Sequence, residues 1–172
     1  MTDKIYNVLF LCTGNSARSV LAEAILNKEG RGRFRAYSAG STPTGRVNPH
    51  VRTVVENCGF QLSDFRSKSW DEFARPDAPA FDVIITVCDN AAGEVCPIWP
   101  GHPTSGHWGI PDPAAVQGSD VEIDAAFAEA ARLLGNRIRL FLSLPIETIE
   151  GPTLKARLRE IHETADDAAQ AL

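Results

Sequence analysis

The fold is decided by the stretch Val8-Leu9-Phe10-Leu11-Cys12-Thr13-Gly14-Asn15-Ser16-Ala17-Arg18-Ser19. A continuous apolar run of this kind is typical of a parallel strand that is covered on both faces. The run ends at a cysteine, and helical periodicity begins near Ala17. The stretch therefore predicts a strand, a tight turn and a helix in direct succession. Gly14 permits backbone angles in that turn that a side chain would forbid.

The turn from Cys12 to Arg18 has the features of an anion-binding site. Successive backbone N–H groups can point inward as a nest, and the N-terminus of the following helix adds partial positive charge. Arg18 offers a planar guanidinium that can hold two oxygens of a tetrahedral oxyanion. We expect the same positive field to lower the pKa of Cys12 and to produce a thiolate. The alternative is a buried thiol beside a surface arginine, but the register of strand, turn and helix favours the site.

Length, charge and cysteine content limit the class of protein. The 172 residues suffice for one domain with a full core. A net charge of -5 argues against a general nucleic-acid binder, which is usually basic. No apolar run is long enough to span a bilayer and no signal-peptide pattern precedes the first strand, so we expect a cytoplasmic protein with no membrane contact. In a reducing compartment the four cysteines are expected to be catalytic, redox-active or metal-binding.

Strand and helix patterns alternate along the chain. The apolar patterns predict strands at 5–11, 34–38, 81–87 and 107–110, and helices at 20–27, 49–58, 70–73, 121–144 and 154–168. This alternation predicts an α/β fold with a parallel, doubly wound sheet and helices on both faces. No composition shift marks a domain boundary. We therefore expect one domain over residues 1–172, in which residues 145–172 form a C-terminal helical extension.

Three reactive side chains are predicted to meet at one edge of the sheet. Cys12, Cys88 and Asp112 each follow a predicted strand, and ligands of such sheets bind at the carboxyl ends of the strands. Asp112 lies between two prolines that stiffen its loop, and a carboxyl held there could act as a general acid. The alternative is an ordinary Asp-Pro turn, which the local sequence alone would favour.

Cys88 and Cys96 are separated by seven residues, so a flexible loop could bring the two thiols together as a reversible redox pair. Zinc binding with His102 and His107 is one alternative, but the spacing fits no common zinc pattern, and we expect no metal. Two unrelated buried thiols are the other alternative. Cys58 lies at a predicted helix end and is interpreted as a packing residue.

The segment from Cys12 to Ser19 resembles the phosphate-binding loop of the low-molecular-weight protein tyrosine phosphatases. The pair Cys88 and Cys96, together with His107-Trp108-Gly109 ahead of Asp112-Pro113, is more similar to the arsenate reductases of that superfamily. The resemblance covers roughly residues 5–144. It implies a single-domain, three-layer sandwich around a four-stranded parallel sheet.

The resemblance also implies a mechanism, carried over residue by residue. Cys12 would attack arsenate held by the loop and Arg18, and Asp112 would protonate the departing hydroxyl. Cys88 would then attack Cys12 and release arsenite, and Cys96 would move the disulfide to its own loop. The implied oxyanion-binding residues are Thr13, Gly14, Asn15, Ser16, Ala17, Arg18 and Ser19.

The same resemblance implies the cofactor and the partners. No bound cofactor is expected, since an external thiol reductant, thioredoxin or glutathione with glutaredoxin, would restore the thiols. Arsenate is the implied substrate, phosphate and sulfate are competing anions, and we expect a monomer.

Two positions depart from the relatives. Ala17 stands where many of them carry a second loop cysteine, which leaves Cys88 as the implied resolving thiol. Some relatives bind potassium beside the loop, at positions that match Asn15, Glu23 and Ser38. Lys68 stands where those relatives place an acid, and its ammonium could replace the cation, so we do not predict potassium.

Two other functions remain open at this point. A tyrosine phosphatase needs Cys12, Arg18 and Asp112 but neither Cys88 nor Cys96. The ring of a phosphotyrosine substrate would find little to stack on beside Ala114 and Ala115. A protein that makes no arsenite but cleaves aryl phosphates rapidly would be a phosphatase. The remaining candidate is a non-catalytic oxyanion-binding or redox-sensing module, against which the complete set of nucleophile, arginine and acid argues.

Overall fold

Four parallel strands form the centre of the computed structural model, which describes residues 4–88, 99 and 101–170, and the side chains up to residue 164. The strands are β1 (Tyr6–Cys12), β2 (Phe34–Gly40), β3 (Val83–Thr86) and β4 (Thr104–His107), in the spatial order β2-β1-β3-β4. The α-helices are α1 (Arg18–Glu29), α2 (Arg52–Asn57), α3 (Asp120–Leu142) and α4 (Gly151–Gln170). Short 3-10 helices lie at Pro49–Val51, Leu62–Asp64, Trp70–Phe73 and Pro113–Ala115. The predicted α/β fold with a four-stranded parallel sheet is confirmed.

The register of the sheet brings the ends of the strands together. Cys12 at the end of β1 lies opposite Gly40 at the end of β2, and Leu11 lies opposite Thr86 at the end of β3. Because the strands are parallel, the loops that follow them leave from the same edge. This common edge explains how the loops after β1, β3 and β4 can lie close together, as the sequence predicts.

Alternation along β1 and β3 separates two hydrophobic clusters. Val8 and Phe10 belong to the larger cluster, which α1 and α3 cover, whereas Leu9 and Leu11 belong to the smaller one. The short helix Trp70–Phe73 covers that second face with its two aromatic side chains. Burial on both faces explains why β1 reads as a continuous apolar run instead of an alternating one.

Side chains cap the start of α3 and of the short 3-10 helix that precedes α2. Ser119 accepts a hydrogen bond from the Glu122 amide at the start of α3, and Asn48 accepts one from the His50 amide before α2. These contacts satisfy amides that have no partner within the helix.

Among the described residues, none of the helices is both long and apolar enough to cross a membrane.

The prediction of the fourth strand is wrong by three residues. The structure forms β4 over Thr104–His107, whereas the sequence analysis predicts residues 107–110. The apolar residues Trp108 and Ile110 are buried, but in the segment that leaves the sheet for the site. The edge strand itself is polar and only four residues long, and apolar content therefore misplaced it.

The C-terminal helix α4 packs against the β4 edge. Leu154, Leu158 and Ile161 are spaced at one face of α4 and are buried in the main cluster. The indole nitrogen Nε1 of the fully buried Trp108 donates a hydrogen bond to the Leu158 carbonyl at 3.1 Å. An added Cβ at Gly106 would lie 3.0 Å from Leu158 Cδ1, so glycine allows this close approach. The extent of the domain and of its extension from residue 145 stays a prediction.

The packing of α4 can be tested at Leu158. The variant Leu158→Ala should lower the free energy of unfolding by about 2–5 kcal/mol, because it leaves a cavity beside Gly106 and Trp108. Urea denaturation followed by circular dichroism measures this. Arg157→Ala on the same helix is the control, and should change stability by less than about 0.5 kcal/mol. Equal stability of both variants would contradict the packing.

Candidate active site

The loop after β1 is held from outside through its carbonyl groups. The three hydrogen bonds run from Thr42 N to Thr13 O (2.9 Å), from Thr44 N to Gly14 O (3.1 Å) and from Asn48 N to Ser16 O (2.9 Å). None of the described peptides is cis, and in a trans peptide the C=O and the next N–H point in opposite directions. The amides of Gly14, Asn15 and Ala17 therefore point to the inner side of the loop, as an anion nest requires.

The backbone amide of Asn15 points inward, toward the sulfur atom of Cys12. Its φ of 46° lies in the left-handed region, which asparagine tolerates better than most residues. Its backbone amide donates to the Cys12 sulfur at 3.2 Å. The loop thus curves around the Cys12 thiol.

Gly40 is a site residue that the sequence analysis missed. An added Cβ at this position would collide with the Thr13 carbonyl oxygen and lie 3.0 Å from the Asn15 amide nitrogen. Only glycine lets β2 approach the loop this closely. The Ala39-Gly40 pair at the strand end is the one signal in the sequence, and it reads equally well as a simple strand terminator.

The side chain of Asn15 sets the direction of a hydrogen-bond network. The Lys68 backbone N–H is necessarily a donor and bonds to Asn15 Oδ1 at 2.9 Å. The Asn15 amide group must therefore donate to the two serine hydroxyls, Ser19 at 2.8 Å and Ser38 at 3.0 Å. Because the Ser19 oxygen accepts from Asn15, its own hydrogen is available for the Cys12 sulfur, 2.9 Å away.

The lowered pKa that the sequence predicts for Cys12 is wrong. Burial raises the pKa of this thiol, since its residue is only 3% exposed and a thiolate there loses its contact with water. The hydrogen bonds from Ser19 and Asn15 act in the opposite direction and stabilise the thiolate. Sequence reasoning included the positive field of the loop but left out the cost of burying its nucleophile.

Behind the loop, Glu23 and Lys68 form a partly buried charged cluster. Ser38 donates to Glu23, and Lys68 Nζ donates to the Arg66 carbonyl at 2.8 Å and to Asn15 Oδ1 at 3.4 Å. Burial raises the pKa of Glu23, and the positive charge of Lys68 opposes that rise. Burial lowers the pKa of Lys68, and Glu23 opposes that fall.

The cluster does not fit a potassium ion. The Lys68 ammonium already lies against the Asn15 oxygen that a cation at the matched positions would use. Among the described residues, no group of three or more His, Cys, Asp or Glu side chains is placed to hold a metal ion.

Arg18 connects the loop to the segment after β4. Its Nη1 donates to the Ile110 carbonyl at 3.2 Å, and its Nη2 lies 3.6 Å from Asp112 Oδ2. The other Asp112 oxygen accepts from the Ala114 amide at 3.0 Å. Arg18 is mostly buried and Asp112 is more exposed, so the carboxyl stands at the mouth of the loop. The structure thus brings Cys12, Arg18 and Asp112 together.

The second cysteine also lies at the loop. The sulfur of Cys88 is 3.6 Å from the Thr13 hydroxyl, and its residue is buried. Cys12, Cys58 and Cys88 are not in disulfides with one another. The predicted partner Cys96 lies outside the described residues.

Sequence reasoning missed three further contacts of the loop. They are the Ser67 hydroxyl on the Gly14 carbonyl at 3.0 Å, the Ile110 carbonyl on Arg18, and the Thr13 hydroxyl beside Cys88. Each joins segments that are more than fifty residues apart, so no local pattern announces it.

Comparison with known proteins places this site in a family. The family model for low molecular weight phosphotyrosine protein phosphatase matches residues 7–150. The chain belongs to this family. A relative named arsenate reductase, from Halalkalibacterium halodurans, is 37% identical over 134 residues, which is 78% of this chain and 93% of that protein.

Solved structures of the family agree in fold. The arsenate reductase from Archaeoglobus fulgidus superposes with a TM-score of 0.52 at 31% identity, covering 74% of this chain and 98% of that one. The thioredoxin-dependent arsenate reductase from Corynebacterium glutamicum has a TM-score of 0.52 at 25% identity, covering 82% of this chain and 65% of that one. The α4 helix begins at Gly151, beyond the part that the family model matches.

The Ser19 hydroxyl of this phosphatase-family loop can be tested by thiol reactivity. Ser19→Ala removes a hydrogen bond to the thiolate, so the pKa of Cys12 should rise by about one pH unit. Alkylation of Cys12 by iodoacetamide should then be several times slower at pH 7, and its pH profile should move to higher pH. Mass spectrometry of the Cys12 peptide measures the rate. Ser63→Ala is the exposed control, and an unmoved profile in Ser19→Ala would refute the role.

The charge of Lys68 can be tested by pH-dependent unfolding. Lys68→Met removes the positive charge that opposes the raised pKa of Glu23, so that pKa should rise further. A raised folded-state pKa of a carboxyl costs stability above that pKa, so the loss of about 1–3 kcal/mol should be present at neutral pH and shrink in acid. Urea unfolding at a series of pH values measures it.

A second substitution separates charge from packing at this position. The variant Glu23→Gln with Lys68→Met should regain most of the lost stability, because the buried carboxylate is gone. Lys28→Met, at an exposed site on α1, is the control. A pH-independent loss that Glu23→Gln does not relieve would assign Lys68 to packing alone.

Proposed function

We propose that this protein reduces arsenate to arsenite in arsenic detoxification, with Cys12 as nucleophile. The observation that carries the proposal is a second buried thiol at the loop, since Cys88 lies 3.6 Å from the Thr13 hydroxyl. Hydrolysis of a phosphomonoester has no use for such a thiol, whereas reduction of arsenate needs two electrons from a thiol pair. Relatives that are more than one third identical over most of the chain carry the name arsenate reductase.

The first step forms a bond between sulfur and arsenic. Arsenate would occupy the loop against the inward amides and the guanidinium of Arg18, which together balance its negative charge. The Cys12 thiolate attacks arsenic, and one oxygen leaves as water after Asp112 has given it a proton. The Ser19 hydroxyl holds the sulfur in line for the attack.

The second step transfers the electrons. The Cys88 thiolate attacks the Cys12 sulfur, the sulfur–arsenic bond breaks, and its electron pair remains on arsenic, which leaves as arsenite. Cys12 and Cys88 are then joined by a disulfide. Cys96 attacks Cys88, which frees the Cys12 thiolate and moves the disulfide to the pair Cys88 and Cys96.

An external thiol reductant would complete the cycle in the reducing cytoplasm, so no bound cofactor is required. The Corynebacterium glutamicum relative is described as thioredoxin-dependent, which supports thioredoxin as one source of electrons. Glutathione with glutaredoxin is the other. Phosphate and sulfate should compete with arsenate because they share its charge and tetrahedral shape.

Phosphatase activity is the second candidate, since the family takes its name from it. Cys12, Arg18 and Asp112 suffice for that reaction through a cysteinyl-phosphate intermediate. Asp112 is followed by Pro113 and Ala114, so the described acid loop presents no aromatic side chain there to stack on a phosphotyrosine ring. We therefore expect it as a weak side reaction.

The thiol relay can be tested by counting arsenite per protein molecule. Without any reductant, the reduced wild type should release about one arsenite and stop, because the protein holds one electron-donating relay. Cys96→Ser should also release about one, and then fail to turn over with thioredoxin or with glutathione and glutaredoxin. Cys88→Ser should release almost none. Arsenite is quantified by chromatography with elemental detection.

The matched control is Cys58→Ala, which removes a buried thiol outside the relay and should keep full multiple turnover. Full turnover by both Cys88→Ser and Cys96→Ser would rule out the relay. Rapid hydrolysis of p-nitrophenyl phosphate by a wild type that makes no arsenite would favour the phosphatase.

A further inference from the structure

A cavity of about 710 Å³ lies between β4 and the C-terminal helix α4. Its floor is apolar, because Leu11 and Ile84 come from the second face of the sheet and Trp99 packs on the same cluster. The described residues that line it include none of the loop from Cys12 to Ser19. A space of this size, separate from the candidate active site, suits a small-molecule ligand.

The helix α4 holds a row of basic side chains along one wall of this cavity. Its inner face is buried in the main hydrophobic cluster and consists of Leu154, Leu158 and Ile161. The residue after each of these lines the cavity, and the three are Lys155, Arg159 and His162. Both sets repeat at spacings of four and three residues, so each forms a stripe along the helix and the two stripes are adjacent. Packing of the first stripe therefore fixes the second at the cavity.

The two permanent cations of this wall, Lys155 and Arg159, are not neutralised by the protein. Neither side chain forms an ion pair or a hydrogen bond with another described residue. They stand one helical turn apart, where like charges repel. No carboxylate stands among the described residues that line the cavity, although the chain as a whole carries a net charge of -5. An anionic group bound near both cations would relieve their repulsion.

Flat ring side chains border the cavity as well. Trp99 lies edge-on to Phe81 of the second cluster, with ring centres 6.4 Å apart and planes at 90°. The rings of His107 and His162 are 5.6 Å apart, and His107 Nδ1 shares a 2.7 Å hydrogen bond with the Thr86 hydroxyl. Trp99 and both histidines line the cavity. Rings that are held in place favour a flat aromatic ligand, because ring contacts add to the burial of apolar surface.

We propose that this cavity is a binding site for a small aromatic anion, a ligand with a carboxylate or sulfonate group on a ring body. The ring covers the apolar floor, and the charged group forms charge-assisted hydrogen bonds with Lys155 and Arg159. An inorganic oxyanion would leave the floor uncovered, and a neutral ring would leave the cations unpaired. The site does not depend on the chemistry proposed at Cys12. The family model ends at residue 150, so both cations lie outside the part that it matches.

The basic wall is tested with anilinonaphthalenesulfonate, an aromatic sulfonate whose fluorescence rises in an apolar site. Titration of the full-length protein should show saturable binding. The double variant Lys155→Ala with Arg159→Ala should bind the probe more weakly by about tenfold or more, because charge-assisted hydrogen bonds are lost. The exchange Lys155→Arg with Arg159→Lys should preserve binding. Arg157→Ala is the matched control on the same helix, since Arg157 pairs with Glu160 at 2.8 Å and does not line the cavity.

The chemical class of the ligand is tested with probes that lack one feature each. Phenylnaphthylamine has the same rings without the sulfonate, so it should bind more weakly, and equally to wild type and double variant, which shows that the cavity of the variant is intact. Naphthoate, an aromatic carboxylate, should displace the sulfonate probe. Octanoate, which has no ring, should do so only at much higher concentration, and inorganic phosphate at constant ionic strength should not displace the probe.

The floor of the cavity is tested by Trp99→Ala, which should weaken the binding of both fluorescent probes because it removes a ring that lines the site. Absence of saturable binding by the wild type, or equal binding of the sulfonate by wild type and double variant, would overturn the site. Displacement by phosphate would also overturn it, since the probe would then occupy a simple oxyanion site such as the Cys12 loop. Displacement by octanoate at the same concentration as naphthoate would refute the aromatic preference.

Discussion

The orientation of one amide group, that of Asn15, controls the chemistry of the loop. The Lys68 backbone N–H can only donate, so it holds the Asn15 oxygen on its own side and turns the Asn15 nitrogen toward Ser19 and Ser38. Ser19 is thereby left to donate to Cys12, and Ser38 to donate to Glu23. A single backbone contact from a segment 53 residues away sets the polarity of the whole chain of hydrogen bonds.

The backbone of the loop, like the Asn15 side chain, is held in place by segments outside the loop. Its outward carbonyls are held by amides of the segment after β2, and the inward direction of its own amides follows from peptide planarity. Gly40 allows β2 to approach without a clash. Arg18 is held by the Ile110 carbonyl, and the neighbouring Trp108 is anchored to α4. Preorganisation of this kind means that an oxyanion meets donors that are already in place.

Sequence reasoning succeeded where burial follows from local pattern and failed where it depends on distant partners. The apolar run of β1 could be read directly, because it depends on neighbours in the chain. The strand β4 was misplaced because its residues are polar, and the apolar Trp108 is buried just after the strand ends, against Phe10 and Phe141. The pKa of Cys12 was predicted with the wrong sign because the depth of burial is a property of the assembled core.

By itself, the sequence determined the succession of strand, loop and helix around Cys12 and the parallel α/β architecture, since both depend on short-range periodicity and on residue type. The tertiary structure decided which groups surround the sulfur, where Cys88 lies, and that α4 adds a positively charged cavity beside β4. The physical reason is that hydrogen bonds and charges act over a few ångströms in space. The residues that supply them here are separated by tens of positions along the chain, and only the folded core brings them within that range.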